Sequence, residues 1–187
     1  HIGRLKTSAK GNLPASTYTY NVRSWIKSIT GTLFNQTLYY NESYAGSTPQ
    51  YNGNISAMSW KAGSEILRGY RFAYDGLSRI TKADYLLNGT LNDSYKVPSI
   101  SYDKHGNITA LQRWGKTSTG YGIVDNLTIG YNGNQLSYVT DLAIRTPNIG
   151  IGLNDFKDAS SATTGEYIYN RNGAIAKDLN KGISNIQ

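Results

Sequence analysis

Apolar and polar residues alternate along this chain in short runs, and each run closes on a tyrosine. Tyr70, Phe72 and Tyr74 make one run and Leu127, Ile129 and Tyr131 another; Tyr18 with Tyr20, Ile100 with Tyr102, and Tyr167 with Tyr169 are shorter ones. A period of two belongs to a strand with one buried face. Directly after the tyrosine stands Asp or Asn, which suits the first position of a type I turn because its side chain accepts bonds from nearby backbone N–H groups. Three residues later come Gly106 and Gly173, where a hairpin places a left-handed residue. Ser24 and Ser78 hold that place in two other segments, so Gly is favoured there but not required. An Ile or Leu then opens a return strand. The pattern predicts a series of β-hairpins.

The hairpins are copies of one unit. Tyr20-Asn21, Tyr74-Asp75, Tyr102-Asp103 and Tyr169-Asn170 each have an Ile six residues after the Tyr, at Ile26, Ile80, Ile108 and Ile175. Tyr131-Asn132 reaches Leu136 one residue sooner, Tyr51-Asn52 reaches Ile55 sooner still, and Gly3-Arg4-Leu5 is the tail of a broken copy. Repeats of this length signal an array in which each unit buries its core against its neighbours. The chain reads as a single array over 1–187, with units at 1–17 (partial), 18–34, 38–60, 70–87, 98–114, 127–142 and 166–180. The unit at 38–60 carries an enlarged connection. Between 144 and 164 the pattern is lost, and Asn154-Asp155 before Phe156 allows a short capped helix or an ordered loop. After each Ile or Leu the next apolar residue falls three positions on, at Ile29, Met58, Ala83, Leu111 and Val139. Either a β-bulge or a return strand buried on both faces fits that spacing.

Composition narrows the classes. Zero Cys excludes disulfides and Cys-ligated metals. Sixteen Tyr against three Phe and one Met suit a sheet whose rings pack while their hydroxyls reach a wet edge. No apolar run approaches the roughly 20 residues of a membrane-spanning helix. The first residue, His1, is neither an initiator Met nor part of a signal peptide, so the chain reads as a piece of a longer one. The net charge of +7 raises the question of nucleic acid, but the Lys and Arg residues are scattered without clustering. They read as solvated faces that discourage edge pairing, with no nucleic acid as partner.

Candidate chemistry is sparse. His105 occupies a turn place held by Leu77, Arg23 and Asn172 in other copies, so it reads as exposed turn filler. Asp75 and Asp103 share their place with Asn21 and Asn170, which cap turns but do no acid–base work. Asp155 and Asp158, with Asn154, offer oxygen ligands but lack the spacing of a calcium loop. No catalytic, cofactor-binding or metal-binding residue is assigned. Trp25, Trp60 and Trp114 near the turn exits read as packing, with a sugar-stacking role for Trp60 and Trp114 as the alternative. Seven Asn-x-Ser/Thr sequons begin at Asn35, Asn41, Asn54, Asn88, Asn92, Asn107 and Asn126, and matter where the host glycosylates.

Tyr102-Asp103-Lys104-His105-Gly106-Asn107-Ile108 and its relatives resemble the YD repeat of the RHS (rearrangement hotspot) family, and residues 169–183 are especially similar to bacterial members. The resemblance covers most of the chain. It implies an all-β fold in which tandem hairpins form a continuous curved antiparallel sheet, one section of a hollow β-shell around a C-terminal cargo or toxin. The chain would then be non-catalytic wall, without cofactors, in a protein that is secreted or at the bacterial cell surface. The family's self-cleaving core segment has no match here. The anchors would be Tyr20, Asn21, Ile26, Tyr74, Asp75, Ile80, Tyr102, Asp103, Gly106, Ile108, Tyr131, Asn132, Leu136, Tyr169, Asn170, Gly173 and Ile175. Its expected partners are neighbouring repeats of the parent chain, with a C-terminal cargo domain or cell-surface glycan as further candidates. Uncapped ends would favour edge-to-edge self-association. The alternative is a carbohydrate- or cell-surface-binding β-repeat module. Tyr74, Tyr102 and Tyr169 are expected to be substantially buried.

Overall fold

A computed structural model of the chain describes residues 3–143 and 155–186. The regular structure among the described residues is antiparallel β-sheet with a single 3-10 turn, and the chain divides into two compact units, His1–Asn92 and Asp93–Gln187. In the first unit, eight strands lie side by side in chain order: β1 (Thr7–Ser8), β2 (Ser16–Tyr20), β3 (Ile26–Thr30), β4 (Phe34–Tyr39), β5 (Ala57–Ala62), β6 (Arg68–Tyr74), β7 (Ile80–Leu87) and β8 (Thr90–Leu91). The second unit holds a four-stranded sheet of β9 (Ser99–Tyr102), β10 (Ile108–Thr117), β11 (Gly120–Asn132) and β12 (Gln135–Asp141). A separate hairpin of β13 (Tyr167–Tyr169) and β14 (Ile175–Asp178) follows, ending in a single 3-10 turn at Leu179–Lys181 whose N-cap is Asp178.

The three-residue spacing after each turn is a β-bulge. Tyr20 pairs with Ile26, but Thr19 pairs with Ser28, which leaves Lys27 as the extra residue. Thr81, Thr109, Ser137 and Ala176 are the extra residues in the hairpins closed by Tyr74, Tyr102, Tyr131 and Tyr169. The enlarged unit behaves alike: Tyr39 pairs with Ala57, and the Ser56 N–H donates to the Tyr39 carbonyl at 2.8 Å. One added residue shifts the alternation by one, so the exit residue and the residue three beyond it share a face. Ile29 thereby lies opposite Tyr18, and Ala83 opposite Phe72.

The buried apolar residues among those described are few: Tyr40, Ala57, Ala83, Tyr85 and Leu86 in the first unit, Leu127 and Val139 in the second. Around Tyr70 the rings of Trp60, Phe72 and Tyr85 lie at centroid distances of 5.4–6.1 Å. Gly130 faces Tyr138 across the β11–β12 pair, and the ring covers it so closely that a side chain there would overlap it. Tyr74, Tyr102 and Tyr169 stand in paired strands and are largely covered, as expected, though none is completely buried. A phenol that must satisfy its hydroxyl stays near a wet edge, and full burial would strand it.

The expected single ladder is interrupted within the second unit, between β12 and β13. Residues 155–166 form an ordered loop along the open edge of β12, with no helical turn within it; Asn154 lies outside the described residues. The Val139 N–H donates to Glu166 Oε2 at 2.8 Å and the Asp141 N–H to Asp158 Oδ2 at 2.9 Å. Further along, the Phe156 N–H donates to Asp125, whose buried carboxylate also receives the Arg113 guanidinium. Asn180 accepts from the N–H groups of Ala159 and Ser160. Side-chain oxygens therefore satisfy edge N–H groups that a neighbouring strand would otherwise take.

Candidate functional site

Four turns share one geometry. Oδ1 of Asn21, Asp75, Asp103 and Asn170 accepts the N–H groups two and four residues on, at 2.8–3.0 Å in every case. The backbone N–H of the same residue donates to the carbonyl four residues on at 2.9 Å, and its carbonyl accepts from the residue three on at 3.0–3.2 Å. That closing residue is left-handed throughout: Ser24 at φ 68°, Ser78 at 64°, Gly106 at 89° and Gly173 at 79°. Asp and Asn interchange because the turn uses only an oxygen acceptor. The copy at Asn132 closes instead on the two residues Gly133 and Asn134, with Tyr131 opposite Leu136.

The two Asp turns carry charge that the Asn turns lack. Bonds to Arg79, first its backbone N–H and then its side chain, hold the Asp75 carboxyl below its ordinary range, and the Leu77 N–H adds to them. The Asn107 side chain, then the backbone N–H groups of Asn107 and His105, does the same for Asp103. His105 is mostly exposed, with Nδ1 3.9 Å from Asp103 Oδ2.

A second regularity joins one hairpin to the next. The Tyr20 hydroxyl donates to the Leu5 carbonyl at 2.9 Å, Tyr40 to Ile26 at 2.9 Å, Tyr74 to Ile55 at 2.7 Å and Tyr131 to Ile108 at 2.9 Å. The acceptor is always the exit residue of the preceding copy, and Leu5 fills that role for the broken one. The intervening separations of 15, 14, 19 and 23 residues differ, yet the bond does not. Burial raises the Tyr40, Tyr74 and Tyr131 phenols above their ordinary range, so they remain donors. Adjacent turns also touch: Arg23 reaches the Tyr51 carbonyl, Asn52 the Ser78 hydroxyl and Asn107 the Asn134 side chain. Tyr40 is the one donor outside the anchor set read from the sequence, although its Tyr-Asn pair was the available signal.

The remaining anchors fall at the same places. Ile80, Ile108 and Ile175 pair with Tyr74, Tyr102 and Tyr169 at the mouth of their turns. Trp60 and Trp114 are half-buried; Trp60 stacks on Tyr70, and Lys96 Nζ lies 4.2 Å from the centre of the Trp114 ring. Both rings thus have a face occupied from within the chain. Asp158 caps the β12 edge, and among the described residues no three His, Asp or Glu side chains converge as metal ligands.

A surface hollow flanks the first turn. A cleft of about 430 Å³ lies between that turn and the long 40–56 connection, lined by Trp25, Tyr51, Glu42 and Gln50 among others. A second hollow of about 580 Å³, lined by Arg4, Lys6 and Tyr18, shares Tyr20, Asn21 and Val22 with it. Lys27 is bonded to Glu42, and that bond, foremost among the causes, lowers the Glu42 carboxyl. No protein-family model matches this sequence, and no curated protein matches it.

Proposed function

We propose that the chain is a non-catalytic structural segment of a YD-repeat protein of RHS type, a stretch of β-shell wall around a C-terminal cargo or toxin in a secreted or surface protein. The observation that carries this reading is the tyrosine bond between consecutive hairpins. A wall lengthens by docking one unit on the last, and the donors of four copies, each aimed at a backbone acceptor of the copy before, meet that need whatever the side chains between. Repeat arrays hold together by such nearest-neighbour terms. The turns support the same reading, since their carboxylates are spent on backbone N–H groups and interchange with amides.

The test is to express the chain with the flanking parts of its reading frame, image the product by electron microscopy and digest it with protease. A hollow particle that shields the segment C-terminal to the repeats is the expected result. Flanks without further Tyr-Asp or Tyr-Asn hairpins, or a downstream segment cut as fast as free peptide, would sink the proposal.

A further inference from the structure

We infer that the paired clefts around Tyr20–Trp25 form a binding site for an acidic saccharide, one bearing carboxylates on a hydroxyl-rich ring. This goes beyond the wall reading and does not depend on it. Two guanidinium groups define the site. Arg4 lies over the Tyr20 ring at 5.2 Å, and Arg23 over the Trp25 ring at 5.3 Å. Arg4 is tied to the Asn21 carbonyl at 3.4 Å and Arg23 to the Tyr51 carbonyl at 3.1 Å. Neither has a carboxylate partner among the described residues. A guanidinium fixed on an aromatic face keeps donors free at low entropic cost, and its fork fits a carboxylate.

The charge balance points the same way. Among the residues lining the two clefts the cations are Arg4, Lys6, Arg23 and Lys27, and the one acid is Glu42. Glu42 is already neutralised by Lys27. The site therefore carries an excess of positive charge that the protein leaves uncompensated.

The rest of the lining selects a sugar over other anions. Tyr51 is 69% exposed and offers a ring to the apolar face of a pyranose. Asn21, Asn41 and Gln50 supply amides suited to hydroxyl groups. A nucleic acid would need several open rings for base stacking, and Arg4 and Arg23 already cover Tyr20 and Trp25. The volumes, about 430 and 580 Å³, fall in the range of small-ligand sites.

The experiment titrates the chain with a galacturonic acid tetrasaccharide, its fully methyl-esterified form and a short oligo-dT, by calorimetry and by the Trp25 indole N–H signal. Saturable binding of the acid form is expected, at least tenfold tighter than the methyl ester or oligo-dT. Arg23→Gln should weaken it at least tenfold. Tyr51→Ala, at an exposed position that cannot threaten folding, should do the same, while Lys104→Gln removes an equal charge in another turn and should change nothing. Absence of binding overturns the inference. So does binding of the ester or oligo-dT as tight as the acid, or equal losses in Arg23→Gln and Lys104→Gln.

Discussion

The first unit carries its ladder through eight strands, whereas the second loses it after β12, although the hairpin that follows has as regular a turn as any. The difference teaches that two specifications are separate. A turn is set by five consecutive residues and forms wherever Asp or Asn and a left-handed closing residue occur. Docking of one hairpin on the last is set by what lies between them. In the first unit the links are short, and each returning strand meets its neighbour's edge. In the second, Asp158 and Glu166 reach the β12 edge first and occupy its N–H groups.

The comparison breaks most visibly at Asp125. Its carboxylate is buried, receives Arg113 and holds the Phe156 N–H. Asp125→Ala should cost about 1–3 kcal/mol by removing the acceptor of the Phe156 N–H and the carboxylate that receives Arg113. Residue-resolved hydrogen exchange should show the loss in β10–β12 and the 155–166 loop, with β2–β7 unchanged. Equal loss in both units would abolish the distinction drawn between them.

The tyrosine bonds should instead be alike across the two units. Tyr74→Phe and Tyr131→Phe each remove one hydroxyl donor and should each lower stability by about 1 kcal/mol in urea denaturation. A cost confined to one of them would show that the bond is incidental in the other.

Smaller again is the backbone effect at the closing position of the turn. The first unit has Ser24 and Ser78 at positive φ, where the second has Gly106 and Gly173. Ser24→Gly should stabilise by about 0.5–1 kcal/mol and Gly106→Ser should destabilise by a similar amount, because only Gly takes this conformation without strain. Thermal melting of the pair should give shifts of opposite sign.

The smallest effect is on acidification. The Asp75 and Asp103 carboxyls lie lower folded than unfolded, so their contribution is present above the unfolded value and is lost as pH falls through the folded one. Asp75→Asn and Asp103→Asn should flatten that part of the stability profile below about pH 4. Asn21 and Asn170 mark the behaviour of a turn that does not titrate. Unchanged pH profiles in both variants would show that neither carboxylate is coupled to folding.

Much of the hairpin architecture was legible in the sequence because turn chemistry is local: Tyr, Asp or Asn, closing residue and exit residue all lie within seven positions. The spacing Ile26 to Ile29 carried the bulge as well, although a strand buried on both faces was equally consistent with it. The direction of the tyrosine bonds was not legible, since Tyr74 and Ile55 meet only once the strands are in register. Nor were the buried acids. Asp125 sits in an alternating strand where an isolated acid reads as solvent-facing, and its partner Arg113 becomes its neighbour only through the β10–β11 pairing. Glu166, fully buried, lies beyond the point where the repeat pattern fails. The clefts of the first turn depend on Arg4 and Tyr51, which meet that turn from distant parts of the chain.

Four junctions take their donor from one copy and their acceptor from the backbone of the copy before, across separations that vary from 14 to 23 residues. An unequal crossover between two copies in the gene, aligned at their Tyr-Asp or Tyr-Asn codons, therefore yields a chain whose new boundary still has both halves of the bond. Copies can be gained or lost whole, without compensating mutations elsewhere. Nothing in such a junction limits how many units can follow one another.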